Sequence, residues 1–354
     1  MPPPFTPPPP NHRPRMLRVR DGLRDGLGGD VTYLRVSLTR QSNLARIRGR
    51  VEDADASPVK PMNRNETVHL IKVFTSLGIR KVRLTGGEPL LRRDLETIVA
   101  GISPEVEGRV HLTTNGTLLP RRARALADAG LHGVNINLDA ADRAAYKRIT
   151  GKDALGKALA GLEAARSAGL QVKLNATVVR GWNEDQILPL VHLAQRENLD
   201  LRFIECMPRR GETWELDRFV AAAEILRIIR EGLGIDLVEE TARHPEDGPA
   251  RVYRISGANE LGGDLAGAKV GIISAQHSNA CDHCNRVRLT SRGELKVCRF
   301  GQPRVDLLEP LRRHAPQDML VRLIRQGLQA KRPCHPFQRG GRLEMAQGLW
   351  QLGG

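Results

Sequence analysis

Between residues 32 and 206, short runs of alternating apolar and polar residues are separated by longer stretches whose apolar residues recur every three or four positions. The first pattern is that of strands and the second that of amphipathic helices, so their alternation predicts parallel βα units. Six strands are expected, over 32–38, 81–85, 110–115, 134–139, 172–178 and 201–206. Helices are expected over 66–77, 121–129, 155–168 and 185–197, several of them ending near a glycine such as Gly78, Gly130 or Gly169. The fold class is α/β: six βα units suggest an incomplete (βα)6 TIM-type barrel, and periodicity alone leaves a doubly wound open sheet as the alternative.

Polar residues recur with period two inside these strands. The sets are Arg35 and Ser37; Arg83 and Thr85; His111, Thr113 and Asn115; Asn135, Asn137 and Asp139; Lys173, Asn175 and Thr177. Period two puts each set on one face, and the intervening Val82, Leu84, Leu112, Val134, Ile136, Leu138, Val172 and Leu174 supply the apolar face that covering helices need. The polar faces should then line the interior. Barrels ordinarily fill that space with branched apolar side chains, so a lumen with Arg35, Arg83, Lys173 and Arg202 implies a buried anionic ligand, expected near the C-terminal strand ends. The plainer alternative is a polar network that satisfies itself. After the second strand, Gly86-Gly87-Glu88-Pro89 suits either close approach of backbone to a ligand, with Glu88 accepting from an ammonium group, or an ordinary strand-to-helix turn.

Composition narrows the choices. The chain has 354 residues and no apolar run long enough to span a membrane. Residues 1–16 read as a disordered proline-rich tail where a signal peptide would need an apolar stretch, and the five cysteines do not form the paired framework of a secreted protein, so a cytoplasmic location is expected. Two further regions are expected, a barrel over 17–232 and a C-terminal α+β region over 233–354. The formal net charge of +15 favours an anionic partner. Aromatic residues make up only 3% of the chain, too few for stacking platforms, which argues against nucleic acid.

Near the C-terminus, Cys281-x-x-Cys284 is followed by Cys298, which returns on an expected hairpin of Val287–Thr290, Ser291-Arg292-Gly293 and Glu294–Cys298. Three thiolates so spaced make a metal or iron-sulfur site. Structural zinc completed by His277 or His283 fits the spacing as well as a cluster does.

Lys81-Val82-Arg83-Leu84-Thr85-Gly86-Gly87-Glu88-Pro89-Leu90-Leu91-Arg92, together with Cys281-x-x-Cys284-Asn285-Arg286-x-Arg288-Leu289-Thr290, resembles the GTP 3',8-cyclase family of molybdenum cofactor biosynthesis. The resemblance runs from about Thr32 to Gly353-Gly354, through Thr113–Gly116, Ile149–Gly151, Val172–Asn175, Leu201–Glu205 and Gly248–Arg251. It implies a radical S-adenosylmethionine enzyme with an incomplete (βα)6 barrel that converts GTP to (8S)-3',8-cyclo-7,8-dihydroguanosine 5'-triphosphate. It further implies an N-terminal cluster for S-adenosylmethionine and a C-terminal [4Fe-4S] cluster on Cys281, Cys284 and Cys298 near the GTP. GTP contacts are implied at Arg35, Arg83, Thr113, Lys173, Arg286 and Arg288, and S-adenosylmethionine contacts at Gly87, Asn137 and Met207, with Asn137 standing where serine is common. The next enzyme of molybdopterin synthesis and a second copy of the chain are the implied macromolecular partners.

One segment departs from the family. Where the first strand should run into Cys-x-x-x-Cys-x-x-Cys, this chain places Ser42, Arg46 and Gly49, with Arg48 at a usually aromatic position, and no cysteine precedes Cys206. Serine is a poor substitute for thiolate, glycine offers no ligand and arginine has no lone pair to donate. Three readings follow: a working cyclase, a degenerate paralogue that keeps GTP and the C-terminal cluster, and a basic zinc-containing nucleic-acid-binding protein. The last gives no reason for the polar lumen.

Overall fold

The computed structural model describes residues 22–45, 59–206, 218–241, 250–256, 269–274, 284–298 and 304–331. Among them the chain runs β1 (Tyr33–Ser37), α1 (Arg64–Ser76), β2 (Lys81–Thr85), α2 (Leu95–Ile102), β3 (Arg109–Thr114), α3 (Ala123–Asp128), β4 (Gly133–Asn137), α4 (Arg143–Thr150), α5 (Leu155–Ser167), β5 (Gln171–Val178), α6 (Ile187–Arg196) and β6 (Asp200–Glu205). It continues with α7 (Ala222–Leu233), β7 (Asp236–Glu239), β8 (Arg251–Ser256), β9 (Lys269–Ile273), β10 (Arg286–Leu289), β11 (Glu294–Lys296), β12 (Arg304–Asp306), α8 (Leu308–Arg312) and α9 (Gln317–Gln329).

Strands β1 to β6 are parallel neighbours in sequential order. A doubly wound sheet would reverse its strand order at a switch point, so the sequential order decides for the incomplete barrel. β1 and β6 do not pair with each other. The free edge of β1 takes β10 in parallel, followed by antiparallel β11 and β12, and the free edge of β6 takes β9, followed by β8 and β7. The C-terminal part of the chain thus covers both edges that the six-stranded unit leaves open, removing unpaired rows of N–H and C=O groups.

The alternation read from the sequence explains the layers. Leu34, Val36, Val82, Leu84, Val110, Leu112, Leu174 and Leu201 are fully buried, each contributing about 1.5 to 3 kcal/mol through loss of apolar surface to water. Local signals set the helices. Asn63 caps α1 by accepting from Glu66 N at 2.9 Å, while Glu66 Oε2 accepts from Asn63 N at 2.8 Å, which starts the helix two residues before the expected Glu66. The helix expected over 121–129 is interrupted: Leu119–Arg121, with Pro120 in its first turn, forms a 3-10 turn, and α3 starts afresh at Ala123. In the same way Glu184–Gln186 is a 3-10 turn and α6 begins at Ile187. The expected C-terminal hairpin is present as β10 and β11.

Candidate functional site: a cationic strand face with cysteines at one end

Register brings the inward polar residues together. Arg288, Arg35, Arg83 and His111 stand side by side across β10, β1, β2 and β3. One level towards the strand starts stand Arg286, Tyr33 and Lys81. Arg35 and Arg83 are third of five residues in their strands, and Arg288 is third of four. The cations therefore sit at mid-strand and towards the N-terminal ends of their strands. β10 is the physical reason, because it adds two arginines level with the first half of β1.

Tyr33 lies at the centre of this group. Arg83 Nε donates to Tyr33 Oη at 2.6 Å, Arg83 Nη1 donates to Thr113 Oγ1 at 3.3 Å, and Lys81 Nζ lies 5.3 Å from the Tyr33 ring centroid. Burial raises the Tyr33 phenol, but the charges of Arg83, Arg35 and Lys81 outweigh burial and bring it down to about 7. Arg35 is lowered to about 10, by burial first and then by Arg83 and Arg286, against the pull of Tyr33. Arg288 falls to about 9 through burial, Arg35 and Arg286. Burial, Arg83 and Lys81 push His111 down to about 2, so its imidazole is neutral. Guanidinium groups crowded into a buried face raise one another's electrostatic energy, and a bound anion would relieve it. Tyr33 and Lys81 were not singled out from the sequence, although Tyr33 shares the period-two face of Arg35 and Ser37.

On the opposite wall Lys173 is half-buried and its Nζ pairs with Asp200, its register neighbour on β6. For this cation the plainer alternative, a polar network that satisfies itself, describes the contact. Asn175, two residues on, is 8% exposed and donates Nδ2 to Asn137 Oδ1 at 3.4 Å. Its own Oδ1 is buried and meets no donor among the described residues. A buried amide oxygen in that state calls for a ligand or water that donates to it.

At the C-terminal ends of β1 and β2 the glycine pair is packed against backbone. Gly87 N donates to Thr39 O at 2.7 Å, Glu88 N donates to Gln41 O at 2.7 Å, and a Cβ on Gly87 would lie 2.1 Å from Gln41 O. The Glu88 carboxylate accepts from Leu90 N at 3.0 Å, Thr114 Oγ1 at 2.7 Å and Asn115 N at 2.8 Å, so it serves the turn that the plainer reading described. Ser42 is exposed, and its hydroxyl donates to Leu44 O at 2.9 Å within its own turn. Asn43 Nδ2 donates to Thr117 Oγ1 at 3.0 Å and Asn43 Oδ1 accepts from Asn115 Nδ2 at 2.8 Å. These residues do not fit a cluster that needs three thiolates, because the donor set here is one hydroxyl, a glycine and an arginine. Arg46, Arg48, Gly49 and Met207 lie outside the described residues.

The cysteine end is different. Antiparallel β10 and β11 pair Arg288 with Lys296; Cys284 lies two residues before β10 and Cys298 two residues after β11, so both cysteines leave the hairpin at its open end. Burial raises the Cys284 thiol, but Arg286 and Lys331 overcome it and leave the thiol below its ordinary range, which favours the thiolate that binds metal. Cys284 and Cys298 therefore fit a thiolate-held centre, while Cys281, His277, His283 and the terminal Gly353-Gly354 lie outside the described residues. No helix among the described residues is long and apolar enough to cross a membrane.

Residues 50–194 match the radical SAM superfamily, starting one residue past Gly49, and residues 199–337 match the Molybdenum Cofactor Synthesis C family. The GTP 3',8-cyclase of Pelotomaculum thermopropionicum is 37% identical over 327 residues, covering 90% of this chain and 97% of that protein. Molybdenum cofactor biosynthesis protein moc-5 of Caenorhabditis elegans is 36% identical over 319 residues, covering 88% of this chain and 51% of that protein, so the chain spans about half the length of this longer relative. The crystal structure of Streptococcus suis SuiB overlays with a TM-score of 0.47 at 16% identity, over 57% of this chain and 46% of that one. With these two domains in this order and this identity over nearly the full length of a bacterial relative, the chain belongs to the GTP 3',8-cyclase family, which joins a radical SAM domain to a molybdenum cofactor synthesis domain.

Proposed function

We propose that this protein binds GTP in the cationic half of the lumen as a member of molybdenum cofactor biosynthesis, and that it lacks the means to start the radical reaction its family name describes. The observation that carries the binding half is the register row of Arg288, Arg35 and Arg83, backed by Arg286 and Lys81 and held around Tyr33. A triphosphate carries the negative charge that a row of cations attracts, and guanidinium N–H groups suit phosphate oxygens. Thr113, Lys173 and the open acceptor of Asn175 then face the remainder of the nucleotide.

A [4Fe-4S] centre on Cys281, Cys284 and Cys298 would lie at the strand-start end of this pocket, next to Arg286. When bound, such a centre supplies a Lewis-acidic or redox-active iron beside the nucleotide. The chain's own residues bind and orient: arginines fix the phosphates, and Asn175 accepts from a donor edge. Neither Ser42 nor the residues at positions 46 and 49 can hold a second cluster, so S-adenosylmethionine, with Gly87, Asn137 and Met207 as its family contacts, has no iron to bind to here. The macromolecular partners this reading keeps are the next enzyme of the pathway and a second copy of the chain; a second copy, with the same residues at 42, 46 and 49, does not restore radical initiation.

Titration calorimetry of the anaerobically prepared full chain tests the binding half. GTP should bind and guanosine should bind far more weakly, since the phosphates carry the recognition. Equal affinity for GTP and guanosine, or no binding of either, contradicts the reading.

A further inference from the structure

We infer that Asp25 and Lys331 are positioning residues for the C-terminal cysteine centre, acting together as a buried ion pair that fixes the main chain at Cys284. This inference rests on the reading that Cys281, Cys284 and Cys298 hold an iron-sulfur centre. The side chains of Lys331 and Asp25 are only 6% and 2% exposed, and their Nζ and Oδ2 atoms are paired. Lys331 Nζ also donates to the main-chain carbonyl of Cys284 at 2.5 Å. A buried ammonium with two acceptors, one of them the backbone of a cysteine ligand, holds that cysteine in a way exposed charges cannot.

Asp25 is held as firmly as Lys331. Its Oδ1 accepts from Leu27 N at 3.0 Å and Gly29 N at 2.9 Å, closing a tight turn, so that Oδ2 is left to meet the lysine. Gly26 N donates to Leu328 O at 3.1 Å, and a Cβ at Gly26 would lie 2.5 Å from Gln329 O, so the turn sits directly on the last turn of α9. On the other side of Cys284, Asn285 O accepts from Thr32 N and Tyr33 N, both at 3.1 Å, and Asn285 Nδ2 donates to Thr32 Oγ1 at 3.0 Å. Residues 25–33, the end of α9 and the start of β10 thus meet at Cys284, through contacts between positions up to 306 apart in sequence. A general stability role would not need the lysine to reach a cysteine carbonyl.

The pair also balances charge beside the thiolates. Lys331 lies nearer Cys284 than Asp25 does, since it contacts the cysteine itself. Removing the carboxylate should leave a net positive charge there and favour the reduced, more negative state of an iron-sulfur centre. Removing the ammonium should do the opposite.

The test uses the anaerobically reconstituted full chain with Asp25→Asn, Lys331→Met and Lys331→Arg variants. Asp25→Asn keeps an oxygen for the Leu27 and Gly29 N–H groups, so it carries the test on its own should Lys331→Met not fold. Iron content, visible absorbance, the rate of iron release to a chelator and the midpoint potential are measured. Leu320→Ala, a core truncation in α9, serves as the control for general destabilisation. The expected result is a shift of potential upward in Asp25→Asn and downward in Lys331→Met, with roughly ten- to a hundredfold faster iron release and substantial recovery in Lys331→Arg. Iron release and potential unchanged from the parent, or moved no more than in Leu320→Ala at equal melting temperature, overturn the inference. A parent protein that holds no iron overturns the reading of the three cysteines as well, and so separates the two failures.

Discussion

The two ends of the barrel have had different fates. At the strand-start end, β10 pairs Arg286 with Tyr33, and the chain just before it is held by Asn285 bound to Thr32 and by Lys331 bound to the Cys284 carbonyl. At the strand-finish end, β1 pairs with β2 as far as Ser37↔Thr85, and the segment after it turns on itself, with Ser42 engaged in its own turn and Asn43 in a network with Thr117 and Asn115. The fold tolerates the second change because nothing in the sheet depends on the missing thiolates. The α1 cap, the Gly87 contact with residues 39–41 and the apolar faces of β1 and β2 are all made by other residues. On the proposed reading, ligand binding belongs to the strands and radical initiation to a single loop, so one can be lost without the other.

The contrast in iron content is the largest expected effect. Reconstituted protein should hold about four irons, the content of one cluster; Cys284→Ala should lose nearly all of it and Ser42→Ala none. Iron that survives in Cys284→Ala, or a content near eight in the parent, would break the comparison between the two ends.

Next in size is the pocket. Arg83 gives charge-assisted hydrogen bonds in a buried setting, so Arg83→Ala should weaken GTP binding by about 1.5 to 3 kcal/mol, roughly ten- to a hundredfold in Kd. Lys173→Ala should weaken it less, because Asp200 already pairs with Lys173 and the charge must be shared. A larger loss for Lys173 than for Arg83, read by calorimetry, would move the phosphates to the β5 wall.

Tyr33 gives a pH signature. Its folded phenol is lowered from the ordinary value near 10 to about 7, so ionisation stabilises the fold. That contribution should be absent below about pH 7, grow between 7 and 10, and be fully present above the unfolded value. Ultraviolet difference spectra should show one tyrosine ionising near neutrality, a step that Tyr33→Phe abolishes. Bound GTP, itself an anion, should move the step to higher pH; no movement would place the nucleotide away from Tyr33.

The smallest effect belongs to the altered end. Asn43→Ala removes hydrogen bonds to Thr117 and Asn115 and should lower stability by about 1 kcal/mol, while GTP affinity stays as in the parent. A clear loss of GTP affinity in denaturation-matched conditions would show that this end still serves the pocket.

Much of this was legible in the sequence where the determinants are local. Period two found all six barrel strands to within a residue or two and placed Arg35, Arg83 and Lys173 on a common face, because pleating alone fixes that geometry. What escaped was pairing between distant segments. Nothing near Lys173 announces Asp200, and nothing near Cys284 announces Asp25 or Lys331. Tyr33 was passed over because an aromatic residue opening a strand fits an apolar pattern, and only the arrival of Arg83 from β2 shows that its hydroxyl matters. Arg286 and Arg288 did not enter the lumen read strand by strand for a similar reason, since β10 joins β1 from 253 residues away.

The central claim is that this chain keeps a nucleotide pocket and has lost radical initiation. Its most direct test is 5'-deoxyadenosine formation from S-adenosylmethionine under anaerobic conditions with dithionite, with and without GTP, in the parent and in the combined Ser42→Cys, Arg46→Cys, Gly49→Cys variant. The parent should give only background, and single cysteine replacements should give no more, since three thiolates act as a unit. 5'-Deoxyadenosine above background from the unaltered protein would contradict the account and return the chain to the active cyclases.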